Sequence, residues 1–240
     1  MSVYAGEKHT AIVVAGGSGS RMGSDIPKQY LMLSGRPVIC GCLEAFEKSD
    51  VIDEVIIVAA ENYVNYCRSR IAGAFSFSKV KKIVPGGAQR YDSVYEGLKA
   101  AGDADYVYIH DAARPCLTQD LIKRLSEAVR TYGAATAAVP VKDTIKTTDA
   151  EGFVERTLDR STLWSIQTPQ VFSYPLLKGA YETMLQRPHS DITDDNMVIE
   201  RFSDQSVRLV KGSYLNQKIT TPEDLPMMEV FMSSVSDRQA

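Results

Sequence analysis

Four short apolar runs recur through the first half of this chain, each separated from the next by a segment with helical periodicity. Residues 11–14 (AIVV) read as a buried strand and 53–60 (DEVIIVAA) as a near-continuous apolar strand covered on both faces, while 80–84 (VKKIV) and 106–109 (YVYI) read as further short strands. Between the first two, residues 37–48 place Val38, Ile39, Cys42, Leu43 and Phe46 on one helical stripe. Asp92 or Ser93 is expected to cap a helix bearing Val94, Leu98 and Ala101, and residues 118–132 carry Leu121, Ile122, Leu125, Val129 and Tyr132, with Gly133 as the stop. Parallel strands joined by helical crossovers make an α/β fold, a single doubly wound and mainly parallel sheet. At 240 residues the chain is expected to form one domain spanning 1–240.

The middle third departs from this rhythm. Residues 134–140 form a small-residue strand, after which residues 141–146 and 153–158 alternate polar and apolar around a turn at 149–152. The pattern predicts a protruding β-hairpin arm at about 140–162. A projecting arm with one face unpaired suits a second copy of the chain, so a homodimer is expected. Helical patterns return at 174–186 and 193–202, late strands are expected at 207–210 and 218–220, and Thr221-Pro222-Glu223-Asp224 has the character of a helix start with Thr221 as its cap.

The chemistry concentrates behind the first strand, in Ala15-Gly16-Gly17-Ser18-Gly19-Ser20-Arg21-Met22-Gly23, followed by Pro27-Lys28-Gln29. Glycines let the backbone turn sharply and present bare amides to an anion, and Arg21 and Lys28 add two cations. The net charge of −3 gives no basic field for nucleic acid or anionic lipid, so phosphate binding has to be local. A dinucleotide fingerprint needs a small residue where Met22 stands, and a Walker A loop needs Gly-Lys-Ser/Thr where Arg21-Met22-Gly23-Ser24 stands. A purely structural glycine turn leaves the two cations unexplained. The four cysteines, Cys40, Cys42, Cys67 and Cys116, lack metal-site spacing and are expected to be buried or idle cytosolic thiols. The polar residues 1–10 carry no signal-peptide pattern, no apolar run reaches membrane-spanning length, and a cytoplasmic protein is expected.

The glycine loop resembles the signature of nucleotidyltransferases that activate sugar and polyol phosphates. Further segments narrow this: Gly86-Gly87-x-x-Arg90-x-x-Ser93-Val94, His110-Asp111-Ala112-Ala113-Arg114-Pro115, Pro140-Val141-x-Asp143-Thr144-Ile145-Lys146, Gln167-Thr168-Pro169-Gln170-x-Phe172, Thr193-Asp194-Asp195 and Lys218-Ile219-Thr220-Thr221-Pro222-Glu223-Asp224-Leu225. Over about residues 10–225 the chain is similar to the 2-C-methyl-D-erythritol 4-phosphate cytidylyltransferase family. Ribitol-5-phosphate cytidylyltransferases share the glycine loop, the Gln-Thr-Pro-Gln run and the Lys-Ile-Thr-Thr-Pro run. Asp159-Arg160, Leu163-Trp164, Ala113 and Thr193-Asp194-Asp195 look more like the methylerythritol family. A non-catalytic nucleotide-binding subunit is the reading from outside the enzyme class.

The resemblance implies a Rossmann-like nucleotidyltransferase fold and transfer of a cytidylyl group from CTP to a polyol phosphate, with release of pyrophosphate and a requirement for Mg²⁺ or another divalent cation. By the same resemblance, Arg21, Lys28 and Lys218 are the catalytic cations. Ala15, Gly16, Gly17, Gly19, Gly86, Gly87 and Ser93 surround the nucleotide. Asp111, Arg114, Thr144, Arg160 and Thr193 meet the acceptor, with Thr144 and Arg160 supplied by a neighbouring subunit's arm. Asp111, at the carboxyl edge of a strand, is also the expected metal ligand. Two positions depart from the pattern: Ala88 stands where relatives often have an acid, and Leu215 where a second metal-side carboxylate is expected.

Overall fold

The computed structural model describes residues 6–17 and 26–239. The strands are β1 His9–Ala15, β2 Met32–Leu33, β3 Arg36–Pro37, β4 Glu54–Ala59, β5 Val80–Pro85, β6 Tyr106–Asp111, β7 Ala134–Pro140, β8 Lys146–Thr148, β9 Val154–Thr157, β10 Trp164–Ser173 and β11 Arg208–Lys211. The helices are α1 Ile39–Glu47, α2 Val64–Tyr66 (continued by a π-helical turn, Cys67–Gly73), α3 Arg90–Ala100, α4 Gln119–Tyr132, α5 Tyr174–Met184, α6 Asp195–Phe202 and α7 Asp224–Gln239. Seven strands form one sheet in the order β11-β7-β10-β6-β1-β4-β5. β10 runs antiparallel to both β6 and β7, and all other pairings in the sheet are parallel.

Period-2 alternation assigns the two faces. Along β1, Ala11, Val13 and Ala15 pack with Leu43 and Phe46 of α1 and Leu125 and Val129 of α4, whereas Ile12 packs on the other side. Along β4, Val55, Ile57 and Ala59 share the first face, and Ile56 and Val58 join Val94 and Leu98 of α3 and Leu177 and Tyr181 of α5 on the second. Each such fully buried Ile, Val, Leu or Phe contributes roughly 1.5–3 kcal/mol of apolar burial, so the sheet is held by both layers. The helix ends follow local chemistry. Thr118 accepts the Leu121 amide at the start of α4, and Gly133 ends it in the left-handed conformation at φ +75°.

The arm is present as expected: β8 and β9 form an antiparallel two-stranded hairpin of their own. Three expectations need correction. Gln89, not Asp92 or Ser93, caps α3; Asp92 sits a turn inside and accepts the Gln89 amide at 3.0 Å, while the Ser93 hydroxyl donates to the Gln89 carbonyl at 3.2 Å. Residues 218–220 are loop, because Ile219 N–H bonds the Ala113 carbonyl while the Thr220 and Thr221 amides both turn to the Asp224 carboxylate. That same carboxylate moves the start of α7 to Asp224, past Thr221 and Pro222. The reversed strand β10, with a cis bond between Thr168 and Pro169 and a bulge between Ile166 and Gln170, is not announced by a simple alternation. All four cysteines are buried and free, and no helix among the described residues is long and apolar enough to cross a membrane.

Candidate active site

The site grows from the register of β1 on β6. Val14 pairs with Asp111, so the glycine turn leaves β1 directly beside the carboxyl end of β6, and the Ala112 amide bonds the Val14 carbonyl at 3.1 Å. Asp111 is the last residue of that strand, where open α/β sheets gather ligands. Gln29, buried, holds the turn from beneath: its amide nitrogen donates to the Ala15 carbonyl at 2.6 Å and to the Gly17 carbonyl at 3.1 Å. On the neighbouring turn, Gly86 lies so close to Ser93 that an added Cβ would stand 2.6 Å from Oγ, and that Oγ accepts the Gly87 amide at 3.2 Å.

Two cavities open at this edge. One, of about 420 Å³, is lined by Ala15, Gly16, Gly17, Lys28, Gly87 and Ser93 among others. The second, of about 530 Å³, is walled by the β10 bulge and the start of α6, and includes Arg114 and Thr193. Arg90, Asp111 and Lys218 line both. Lys218 Nζ donates to Asp111 Oδ2 at 2.7 Å, and Arg90 Nε donates to Asp111 Oδ1 at 3.2 Å. Arg90 also reaches across to the fully buried Asp195, at 2.8 Å, and Asp195 in turn accepts the Tyr181 hydroxyl at 2.6 Å.

Burial alone would push the Asp111 carboxyl pKa up, but Arg90, Lys218 and Arg114 outweigh it and hold the group well below the usual carboxylate range. Burial likewise opposes the Arg90 charge, and Asp195 and Asp111 overcome it, so its pKa is raised. Burial lowers the Arg114 pKa, with Asp111 opposing and Arg90 reinforcing. Burial depresses the His110 imidazole to about 4, which leaves it neutral. The junction is thus a carboxylate wrapped in cations, with excess positive charge facing the glycine-side cavity, where Lys28, Arg90 and Lys218 stand against Asp111 alone.

The family model for IspD, 2-C-methyl-D-erythritol 4-phosphate cytidylyltransferase, matches residues 9–234. The chain belongs to this family. It is 50% identical over 225 residues to the protein of that name from Lachnospira eligens, covering 93% of this chain and 99% of the relative. The protein of the same name from Pelotomaculum thermopropionicum is 45% identical, with 98% of each chain covered. Among solved structures, 4-diphosphocytidyl-2C-methyl-D-erythritol synthase from Anaerococcus prevotii superposes with a TM-score of 0.82 at 31% identity, covering 95% of this chain and 99% of that one. The Thermus thermophilus cytidylyltransferase superposes at 0.74 and 28% identity, with 92% and 98% covered. These matches favour neither the ribitol-phosphate reading nor the non-catalytic one.

Within a cytidylyltransferase framework the expected residues divide into three groups. Ala15, Gly16, Gly17, Lys28, Gly87, Ser93, Asp111, Arg114, Thr193 and Lys218 line the paired cavities, and Gly86 supports the turn behind them. Gly19 and Arg21 lie outside the described residues. Thr144 and Arg160 line neither cavity of their own chain. Both are exposed on the arm, and Arg160 donates to the Lys142 carbonyl at 2.9 Å. Lys218 reaches Asp111 from a loop rather than from the strand expected for it.

The departures also have structural outcomes. Leu215 packs against the small apolar cluster of Leu33, Val38, Cys116, Ile219 and Met228, so no carboxylate joins Asp111 from that side. Ala88 lines the glycine-side cavity as an exposed methyl group. Arg90 is the functional residue that sequence reasoning left without a role. A cation in the first turn of a helix opposes the helix dipole, and that placement was the available signal that it answers to acids elsewhere.

Proposed function

We propose that this protein transfers the cytidylyl group of CTP to the phosphate of 2-C-methyl-D-erythritol 4-phosphate, forming 4-diphosphocytidyl-2-C-methyl-D-erythritol and releasing pyrophosphate. The observation that carries the reading is the shared wall of Arg90, Asp111 and Lys218 between a glycine-lined cavity and a second cavity bearing Arg114 and Thr193. CTP takes the glycine side, where backbone amides and Lys28 meet the triphosphate. The acceptor takes the other side, with its phosphate toward Arg114 and Lys218.

The attacking group is a phosphate oxygen, already anionic near neutral pH, so the step needs no general base. The residues agree, since the imidazole nearest the junction, His110, is fully buried and committed to internal hydrogen bonds. The obstacle is electrostatic: two unit charges 4 Å apart repel by about 4 kcal/mol at an effective dielectric of 20. Lys28 and Lys218 offset that repulsion, most where charge gathers on the five-coordinate phosphorus, and Arg21 of the glycine loop belongs to the same set. Lys218 is suited to this because its side chain is a third exposed and its ammonium is tied to a single acid. It can exchange Asp111 for a phosphate oxygen without leaving the junction.

Among the described residues no group of three or more His, Cys, Asp or Glu is arranged to hold a metal. Asp111 nonetheless supplies one hard oxygen donor at the junction, which fits Mg²⁺ because that ion takes most of its shell from water and phosphate oxygens. The chemistry such an ion supplies when bound is neutralisation of phosphate charge. The exposed arm residues Phe153 and Val154, with Trp164 at its base, support the reading that a second copy packs on the arm. Thr144 and Arg160 would then meet the acceptor phosphate of the neighbouring subunit. The four buried free thiols support a cytoplasmic setting.

Pyrophosphate release with CTP, tested against an acceptor panel that includes ribitol 5-phosphate, decides the proposal. Turnover is expected with methylerythritol phosphate. Turnover only with ribitol phosphate, or CTP binding with no release, overturns it.

A further inference from the structure

At the junction a closed hydrogen-bonded ring joins three separate segments of chain; within it Asp111 lines both cavities and Thr168 lines the acceptor-side cavity, whereas His110 lines neither. The Asp111 amide donates to Thr168 Oγ1 at 3.1 Å. Thr168 Oγ1 stands 3.0 Å from His110 Nδ1, and His110 Nε2 stands 3.1 Å from the Arg114 carbonyl oxygen. The carbonyl can only accept, so Nε2 carries the imidazole proton. In a neutral ring Nδ1 is then an acceptor, and the Thr168 hydroxyl, having accepted from Asp111, donates its own hydrogen to it. The Arg114 guanidinium donates to the Asn216 carbonyl at 2.8 Å, and the Asn216 side chain returns to the Thr168 carbonyl at 2.8 Å. Two residues beyond Asn216 stands Lys218.

Each hydrogen bond of this ring has only one possible direction. His110 and Asn216 are fully buried and Thr168 nearly so, which means water cannot replace a lost partner. The ring spans the end of β6, the bulge of β10 and the loop before α7. The first of these leads from Asp111 into Arg114, and the last carries Lys218.

We infer that the Thr168 hydroxyl and the His110 imidazole are positioning groups for cytidylyl transfer: they set the spacing of the Asp111 carboxylate and the Arg114 guanidinium across the two cavities. This rests on the proposed function. Neither group takes or gives a proton in the reaction. Thr168 and Arg114 both line only the acceptor cavity, so acceptor binding and turnover respond more than CTP binding.

The test is steady-state pyrophosphate release by Thr168→Val, which keeps the side-chain shape and removes the hydroxyl, and by Thr168→Ser, which keeps the hydroxyl. Val129→Ala, a cavity in the α4 face remote from the site, serves as a stability control. Thr168→Val is expected to lower kcat/KM for the acceptor by about 10- to 100-fold, as small misplacements of charged groups do. The KM for CTP should stay within about threefold, Thr168→Ser should recover most of the rate, and Val129→Ala should keep wild-type kinetics below its melting temperature. If Thr168→Val does not fold, His110→Asn, which leaves the Arg114 carbonyl without its donor, is read in the same terms. Wild-type kinetics in folded Thr168→Val or His110→Asn, or equal losses in the Val, Ser and Val129→Ala variants, overturn the inference alone. An inactive wild-type protein in the same assay overturns the functional reading with it.

Discussion

The Lys218 ammonium and the Asp111 carboxylate stand 2.7 Å apart although 107 residues separate them in the chain. The pair lies at the common wall of two cavities, with Lys218 about a third exposed and Asp111 nearly buried. An exposed lysine in such a pair contributes only about 0–1 kcal/mol to folding, so its value lies in the charge it presents. Lys218→Gln is expected to lower kcat by about two orders of magnitude or more while moving the melting temperature by only a few degrees. Pyrophosphate release and a thermal melt on the same preparation check this; a large fall in melting temperature with retained turnover would show that the lysine is structural.

Chelation supplies a separate check on Asp111. EDTA is expected to abolish pyrophosphate release and added Mg²⁺ to restore it. Asp111→Asn should shift the half-saturating Mg²⁺ concentration upward by about tenfold or more, because one of few protein oxygen donors is lost. An unchanged Mg²⁺ titration removes Asp111 from the metal.

Arg90 bridges Asp111 and the fully buried Asp195. Arg90→Met leaves Asp195 with neutral partners only, the Tyr181 hydroxyl and the Asp195 amide's bond to Gln170. An uncompensated buried charge of this kind costs about 3–5 kcal/mol, read as a lower urea midpoint. Arg90→Lys should recover only part of it, since a single ammonium does not span both acids as a planar fork does. Full stability in Arg90→Met would show that the pair carries little.

Gly86→Ala places a Cβ 2.6 Å from Ser93 Oγ and 3.3 Å from Val58, so the turn beneath the nucleotide has to shift. The KM for CTP is expected to rise by about tenfold with the acceptor KM little changed. A rise confined to the acceptor would place the nucleotide in the other cavity.

Acid stability follows from His110. Its folded value of about 4 lies below the ordinary 6.5, so the unfolded chain binds the proton first. The contribution is full above about pH 6.5 and is lost as pH falls toward 4, reaching on the order of 3 kcal/mol. His9, also lowered by burial, acts in the same direction, so the diagnostic is the difference from His110→Gln, whose urea midpoint should depend less on pH between 7 and 4.5. Identical pH slopes in the two proteins would contradict the assignment.

Much of this molecule was readable in the chain itself. The strands at 11–14, 53–60 and 106–109 announce themselves because burial on both faces demands continuous apolar residues, and α4 because Thr118 and Gly133 mark its ends. Lys28 and the glycines of the first turn stand out because a polyphosphate needs amides and cations at close spacing. Gln29 did not, since its role is to bond two carbonyls of a turn whose shape local sequence does not state.

β10 was not readable. Its bulge interrupts the alternation, and its antiparallel course depends on the two strands it lies between. Arg90, Asn216 and Thr168 were hidden for a related reason, as each is ordinary in its own segment and acquires a task only from partners 21, 102 and 57 residues away, namely Asp111, Arg114 and Asp111 again. Local pattern determined which segments are strands or helices and which turn carries phosphate chemistry, because periodicity and glycine geometry act over a few residues. Only packing decided that a single carboxylate should be shared by two cavities, because charges meet through space once the sheet has brought distant strand ends to one edge.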